Sequence, residues 1–263
     1  MTNQNSRHDA ARRDSPIDAA RPRASLRHSI ASPAAKAAHV RALFSTIADR
    51  YDLITVLLSF GQDQRWKRRL IRLAGPLTCL RVVDLACGTG DIARLASAAG
   101  GDVTGIDITP RMIALARERT RQSGLRRLRF LVGDMTAIPL PDNCADIVTT
   151  GYGLRNVPDL DKALAEIHRV LKPGGRFLSL DFNRPAVAPV RLAYFAYLSV
   201  VGSALGWALH RDPDTYRYIP ESIRLYPGAP AVVERLQRTG FGAARWHRVL
   251  GGLLAIHVAD KAR

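Results

Sequence analysis

The sequence is poor in cysteine, and its cysteines lack the spacing of a metal site or a disulfide framework. Only Cys79, Cys87 and Cys144 occur, none of them in a CxxC pair. An odd count without such pairs favours a reducing compartment over a disulfide-stabilised or zinc-binding protein. The histidines of the C-terminal third are scattered without ligand spacing, so we expect no metal.

The N-terminal segment lacks both an apolar periodicity and an apolar signal sequence. Residues 1–35 are polar and rich in Arg, Ala, Ser and Pro, a composition typical of a disordered tail. The absence of an apolar segment argues against a secretory signal, and Asp9, Asp14 and Asp18 argue against a mitochondrial transit peptide. We therefore expect a disordered basic tail on a cytoplasmic protein.

Acidic residues are scarce relative to basic ones. The chain has 39 Lys and Arg against 23 Asp and Glu, a net charge of +16, which suits an anionic partner such as nucleic acid or an acidic membrane surface. The basic residues are not interleaved with aromatic stacking residues, and no RNA-binding module is added. We therefore predict peripheral contact with an anionic membrane, at the inner face of the cell membrane, and no nucleic acid.

One long stretch lacks any charge. Residues 192–209, "LAYFAYLSVVGSALGWAL", just reach the length of a membrane span. A span would separate the C-terminal strands from the sheet that they should join, so the stretch is predicted to be a helical lid over the carboxyl edge of the sheet. Its apolar excess indicates contact with an oily ligand or a membrane face.

The rest of the chain predicts one α/β domain over residues 36–263. Apolar residues at helical spacing predict two helices within residues 36–75. Strands and helices then alternate, which indicates a doubly wound parallel sheet. The final stretch, "GFGAARWHRVLGGLLAIHVAD", has no room for a helix between its two extended runs, so we expect a hairpin that adds antiparallel strands at the edge.

A glycine turn follows the first predicted strand and indicates an adenosine-type cofactor. In "DLACGTGD", Gly88 and Gly90 allow a sharp turn on which a ligand can lie. Asp107 ends the second strand, where a carboxylate can accept ribose hydroxyls, and Asp134 follows the third, where it suits the adenine amino group. Asp91 would repel a pyrophosphate but attract a methionine ammonium, which favours S-adenosylmethionine over NAD.

Several motifs resemble the ubiquinone/menaquinone biosynthesis C-methyltransferase family. They are "DLACGTGD", "GLRNV", "LKPGGR", "LDFNRP", "YRYIPESIRLYP" and "RYDLITVLLSFG" with Trp66. The match runs from about Val40 to the C-terminus. All class I methyltransferases share the glycine turn, whereas "GLRNV" with "YIPESIRLYP" is specific to this family. "GYGLRNV" and "LDFNRP" are most similar to the branch that methylates naphthoquinols.

The resemblance implies a fold, a cofactor and a reaction. The fold is the seven-stranded, Rossmann-like sheet of class I S-adenosylmethionine-dependent methyltransferases, with N-terminal lid helices at 36–75 and a substrate-lid insertion at 187–225. The substrate is a polyprenyl quinol methylated on a ring carbon, demethylmenaquinol becoming menaquinol. The alternatives are the 2-polyprenyl-6-methoxy-1,4-benzoquinol of the ubiquinone pathway and another small aromatic substrate. By position, the cofactor is held by Thr89, Asp107, Asp134, Met135 and Gly151, with Gly88 and Gly90 shaping the turn.

The chain departs from the family in the lid helices. Thr55 stands where the family usually has Asn, and Asp63-Gln64 stands where it usually has a His-Arg pair. These departures bear on recognition of the quinol head group more than on cofactor binding. The resemblance also suggests Tyr51, Tyr218 and Arg224 as substrate contacts.

The loop "GYGLRNVPD" follows the fourth predicted strand and carries the expected catalytic residues. Ligands of doubly wound sheets bind beyond the carboxyl ends of the strands, so Arg155 and Asn156 are expected to face the quinol. A guanidinium there stabilises a phenolate oxygen, while Asn156 orients a hydroxyl or a water. Arginine is a poor base, which leaves proton removal to water or to a carboxylate such as Asp134. The alternative for Arg155 is a salt bridge that ties the loop down.

Three other functions remain open from sequence. They are an RNA methyltransferase, a non-catalytic subunit that holds quinone intermediates, and a methyltransferase of polyketide type, since a cofactor fold alone does not prove turnover. A homodimer is a further expectation.

Overall fold

The computed structural model describes residues 32–59, 61–121, 123–212 and 215–263. The predicted tail up to residue 31 lies outside the described residues. Helix α1, Pro33–Ile47, begins three residues before the expected boundary. The Ser32 hydroxyl accepts a hydrogen bond from the Ala35 amide (3.2 Å) and Pro33 occupies the first helical position, which together start a helix.

The centre of the fold is one sheet of seven strands in the order β3-β2-β1-β4-β5-β7-β6. Strands β1 to β5 pair in parallel, and β7 runs antiparallel to both β5 and β6. This confirms the predicted α/β sheet with a C-terminal hairpin. The strands are β1 (Arg81–Leu85), β2 (Asp102–Asp107), β3 (Leu128–Val132), β4 (Ala145–Gly151), β5 (Leu171–Phe182), β6 (Phe241–Val249) and β7 (Leu254–Lys261).

Helices cover both faces of the sheet. Alternate side chains of a strand point to opposite faces, so Val82 belongs to one apolar core and its neighbour Val83 to the other. The remaining helices are α2 (Tyr51–Leu58), α3 (Asp63–Ala74), α4 (Asp91–Ala98), α5 (Pro110–Arg121), α6 (Leu160–Val170), α7 (Ala188–His210), α8 (Tyr218–Leu225) and α9 (Ala229–Arg238). Helices α3, α4 and α5 contribute to the first core, and α6 and α9 to the second.

Four helices lie over the carboxyl edge of the sheet. Helices α1, α2, α7 and α8 surround a cavity whose floor is formed by side chains at the ends of β4 and β5. Helix α7 has 23 residues and is the one helix of the described chain that is long and apolar enough to cross a membrane. Its Tyr194 and Leu198 line that cavity, which is where the lid prediction puts this segment.

Candidate active site

Two adjoining cavities lie at the carboxyl edge of the sheet. The smaller one, about 80 Å³, is lined by the glycine turn and by residues that follow β2, β3 and β4. The larger one, about 590 Å³, has a mainly apolar lining from the four covering helices. Phe44, Tyr51 and Tyr152 line both cavities. A ligand in one cavity therefore lies next to a ligand in the other.

The glycine turn forms one wall of the smaller cavity. Gly88 and Gly90 have φ angles of +53° and +84°, a region that strains other residues. A Cβ on Gly90 would lie 2.9 Å from the Phe130 ring, so a side chain does not fit there. The Asp107 carboxylate accepts hydrogen bonds from the amides of Gly88 (2.9 Å) and Thr109 (2.8 Å). Asp107 thus fixes the turn against the end of β2 and lines the cavity itself.

The opposite wall contains three more of the predicted cofactor residues, Asp134, Met135 and Gly151. Asp134 Oδ1 accepts from the amide (2.7 Å) and the hydroxyl (2.8 Å) of Thr136, which orients the carboxylate. A Cβ on Gly151 would lie 2.5 Å from the terminal methyl group of Ile92, so Ile92 would have to shift to admit a side chain there.

Gly90 is not among the lining residues of the smaller cavity, and neither is Thr89. Its hydroxyl donates to Asp52 Oδ1 (2.8 Å). Asp52 also pairs with Arg119 on α5. The side chain of Thr89 therefore fastens α2 onto the glycine turn.

Asn156 lies on the side of the smaller cavity. Its amide nitrogen donates to the Tyr152 carbonyl (2.8 Å), and it lines the smaller cavity and not the larger one that it was expected to face. Its Oδ1 is buried without a hydrogen-bond partner among the described residues. A buried unpaired acceptor is costly unless a ligand supplies the donor. This wall thus fits a cofactor that carries hydroxyl and amino groups.

Arg155 forms the polar end of the larger cavity. Its Nη1 donates to the Tyr152 carbonyl (2.7 Å) and to Asp181 Oδ1 (3.0 Å), and the guanidinium lies 4.8 Å from the centroid of the Phe182 ring. Burial is the largest single effect and opposes the charge, but Asp181, Tyr218 and Tyr51 together outweigh it, so the pKa of Arg155 is raised. Its Nε is buried without a partner in the described part of the chain. Arg155 therefore has both arrangements considered from sequence, an ion pair and a donor at the cavity.

Two tyrosines also lie at this end. Tyr218 lines the larger cavity, and its buried hydroxyl has no hydrogen-bond partner within the described ranges. Burial raises the pKa of Tyr218 to about 12, so this hydroxyl remains a donor at neutral pH. Tyr51 lines both cavities, and burial raises its pKa as well.

Arg224, a predicted substrate contact, lies outside the linings of both cavities. Its guanidinium pairs with Glu221 (2.7 Å) and lies 4.7 Å from the centroid of the Phe195 ring. The period of a helix separates Arg224 from Tyr218 by about 120° around α8, so the two side chains lie on different faces.

Asp91 also differs from its expected role. Its carboxylate points to α3, where Lys67 Nζ (2.7 Å) and Gln64 Nε2 (2.8 Å) donate to it, and it does not line the smaller cavity. Lys67 also pairs with Asp63 (2.7 Å). Asp63 and Gln64, two of the residues that depart from the family pattern, thus belong to a buried ion network away from the larger cavity. The third, Thr55, lines the larger cavity. The expected attraction of Asp91 for an ammonium is not supported.

Sequence reasoning missed two residues that contact the Arg155 loop, Asp181 and Lys36, and a buried acid of β1, Asp84. Asp84 and Asp181 each lie near the carboxyl end of a buried strand, the same signal that identified Asp107. Burial raises the pKa of Asp84 to about 7. Lys36 donates to the carbonyls of Arg155 (2.9 Å) and Val157 (2.7 Å). No local sequence pattern predicts these two hydrogen bonds. Among the described residues no group of His, Cys, Asp and Glu could hold a metal ion.

Comparisons with known proteins were consistent with this site. A model of the "ubiE/COQ5 methyltransferase family" matches residues 33–261. The chain is 42% identical over 221 residues to demethylmenaquinone methyltransferase of Thermus thermophilus, covering 83% of this chain and all of the relative. It is 40% identical over 223 residues to the ubiquinone/menaquinone biosynthesis C-methyltransferase UbiE of Rubrivivax gelatinosus, covering 85% and 87%. A crystal structure of a SAM-dependent methyltransferase from Aquifex aeolicus has the same fold, with a TM-score of 0.55, 20% identity, and coverage of 74% and 88%.

Proposed function

The chain belongs to the ubiE/COQ5 methyltransferase family, and on this premise we propose that it methylates a ring carbon of a polyprenyl quinol, converting demethylmenaquinol to menaquinol. It is an S-adenosylmethionine-dependent C-methyltransferase. The observation that carries the proposal is the junction of the two cavities. There, the polar end of a large apolar cavity adjoins the cavity of the glycine turn.

The lining of the smaller cavity suits the cofactor chemically. S-adenosylmethionine supplies a methyl group on a sulfonium, which is electrophilic. In the proposal, Gly88 and Gly90 let the backbone approach the ligand, Asp107 accepts the ribose hydroxyls, and Asp134 accepts from the adenine amino group. The unpaired Oδ1 of Asn156 provides one more acceptor on the same wall.

The larger cavity fits the quinol. Its apolar lining suits a prenyl chain, because burying such a chain removes apolar surface from water. A quinol ring presents two oxygens, and two residues that line this cavity, Arg155 and Tyr218, each have a buried donor, Nε and Oη, without a partner among the described residues. This match supports a dihydroxylated ring at the polar end.

In the proposed reaction Arg155 stabilises developing charge on a ring oxygen. A phenolate oxygen enriches the ring carbon in electrons, and a fixed guanidinium favours it. Asp181 keeps Arg155 charged and oriented from behind. Asp134 lines only the cofactor cavity, which favours water over Asp134 as the acceptor of the quinol proton.

The quinone profile of a deletion strain tests the substrate. We expect demethylmenaquinone to accumulate and the wild-type gene to restore menaquinone. Accumulation of the demethylated benzoquinone instead would assign the enzyme to the ubiquinone pathway. An unchanged profile, with methyl incorporation into RNA by the purified protein, would overturn the proposal.

The proposal extends to location, at the cytoplasmic face of an anionic membrane. Leu192, Val200 and Trp207 are 75%, 68% and 59% exposed and share one face of α7. Arg211 lies 5.2 Å from the centroid of the Trp207 ring at the end of this face, a pairing that suits the membrane interface. A second group of basic residues lies on α3, beside Trp66 at the larger cavity: Arg65, Arg68, Arg69 and Arg72.

Liposome flotation tests this location. We expect binding to vesicles with anionic lipid that weakens as salt rises, since each basic residue near the surface contributes about 1 kcal/mol. Val200→Asp should reduce flotation several-fold. The matched control is Val132→Asp, a half-exposed valine on the distant edge strand β3, which should leave flotation unchanged. Retention that only detergent reverses would show that α7 inserts across the membrane.

The expected homodimer stays a prediction.

A further inference from the structure

Lys36 connects the N-terminal lid helix to the loop of the catalytic candidates. Its ammonium donates to the carbonyl oxygen of Arg155 (2.9 Å) and to that of Val157 (2.7 Å). These two carbonyls lie on either side of Asn156, in the 3₁₀ turn Leu154–Asn156 and the residue after it. One side chain of α1 thus holds the backbone of the segment that carries both Arg155 and Asn156.

The face of α1 that carries Lys36 also closes the cavities. Lys36, Val40 and Phe44 are spaced by four residues, so they follow one stripe of the helix. Val40 lines the smaller cavity and Phe44 lines both. Helix α1 therefore forms part of the wall of both cavities, and Lys36 lies near the N-terminal end of the stripe that does so.

Lys36 interacts electrostatically with the charged residues at the catalytic loop. Burial and the nearby Arg155 lower the pKa of Lys36, while Asp181 raises it. Asp181 therefore interacts with two cations, Arg155 by direct contact and Lys36 through space. The two carbonyl oxygens replace water around an ammonium that has been taken out of solvent.

We propose that Lys36 is a positioning residue, which couples closure of α1 over the cofactor to the placement of Arg155 and Asn156. With α1 closed, its ammonium fixes the carbonyls of the loop, and the guanidinium and the amide are held at the junction of the cavities. With α1 open, the loop loses this support. The role of Arg155 at the substrate rests on the proposed function, whereas the closure of α1 over the cofactor does not.

The test compares Lys36→Met with Arg41→Met. Methionine keeps much of the length of Lys36 but lacks its donors and charge. Arg41 is exposed on the same helix and has no part in either cavity, so its replacement removes one cation as a control. For each protein we would measure the dissociation rate of labelled S-adenosylhomocysteine, the kcat and KM for quinol methylation, and the melting temperature.

For Lys36→Met we expect S-adenosylhomocysteine to dissociate several-fold faster and kcat to fall about 10- to 100-fold, because small displacements of catalytic groups are costly. KM for the quinol should change little, and Arg41→Met should match the wild type. Unchanged dissociation and unchanged kcat per folded molecule would overturn the inference, as would a loss confined to the melting temperature. The dissociation measurement needs no quinol, so it distinguishes failure of this inference from failure of the proposed substrate.

Discussion

Replacing Asp181 with asparagine tests whether the ion pair behind the cavity sets the activity of Arg155. Asp181 is 1% exposed and accepts from Arg155 Nη1 (3.0 Å), the Arg155 amide (3.2 Å) and the Phe182 amide (2.8 Å). Asparagine preserves the shape and one oxygen acceptor but removes the charge. The Arg155 guanidinium, itself 6% exposed, would then be buried without its counter-charge.

The size of the expected loss of stability follows from the burial of the ion pair between Arg155 and Asp181. Removing one partner of a buried ion pair costs about 3–5 kcal/mol, because the other charge remains in a medium of low polarity. Arg155 keeps its bond to the Tyr152 carbonyl, and asparagine retains an acceptor, so we expect about 3 kcal/mol. For a chain of this size that corresponds to a melting temperature lower by roughly 6–12 °C.

The assay uses one preparation of each protein. It measures stability by chemical denaturation, the affinity for S-adenosylhomocysteine, and the rate of quinol methylation. We expect cofactor affinity near that of the wild type and kcat lower by about 100-fold, since the guanidinium loses its orientation. The matched control is Asp260→Asn, whose pair with Arg176 is partly exposed (side chains 30% and 33%) and should cost only about 0–1 kcal/mol. A loss of stability below about 1 kcal/mol together with normal turnover in Asp181→Asn would refute the reasoning.

Three further predictions concern other residues of the site and the core. Arg155→Lys keeps a charge but loses the Nε donor at the cavity, so kcat should fall about 10²–10³-fold with little change in cofactor affinity; normal turnover would remove Arg155 from the mechanism. Gly90→Ala should abolish tight S-adenosylhomocysteine binding, because its Cβ meets the Phe130 ring at a left-handed φ; calorimetry showing wild-type affinity would contradict this. Burial lowers the pKa of His257 from 6.5 to about 4, so the unfolded state gains its proton first as pH falls from 6.5 toward 4. The free energy of unfolding should fall over that window by up to about 3 kcal/mol, and this pH dependence should shrink in His257→Gln; a loss of the same size in both proteins would exclude His257 as its source.

Local patterns were sufficient to predict the sheet, and several of the predicted cofactor residues line one cavity. Glycines after a buried strand and an acid at the end of the next strand identified Gly88, Gly90 and Asp107, because the carboxyl ends of parallel strands share one edge. The same rule brought Arg155 to the site. It could not say which cavity Asn156 would face, since that depends on the rotation of a short 3₁₀ turn.

The remaining differences come from contacts distant in sequence. Arg224 points outward because its helix begins at Tyr218, and the position of the first residue decides which face of the helix each later residue occupies. The sequence alone did not determine where this helix begins. Asp91 is taken up by Lys67, 24 positions away, and Lys36 reaches the Arg155 loop across 119 positions. Each of these contacts depends on how the helices pack in three dimensions, which no periodicity within one segment encodes.

The most direct test of the central claim is methyl transfer to the quinol ring by the purified protein. The enzyme would be given S-adenosylmethionine with an isotopically labelled methyl group and, in separate reactions, demethylmenaquinol and the corresponding demethylated benzoquinol. We predict that mass spectrometry finds the label on a ring carbon of menaquinol, with S-adenosylhomocysteine formed in equal amount. Cofactor binding without label in either quinol would contradict the account and support a protein that holds quinones without methylating them.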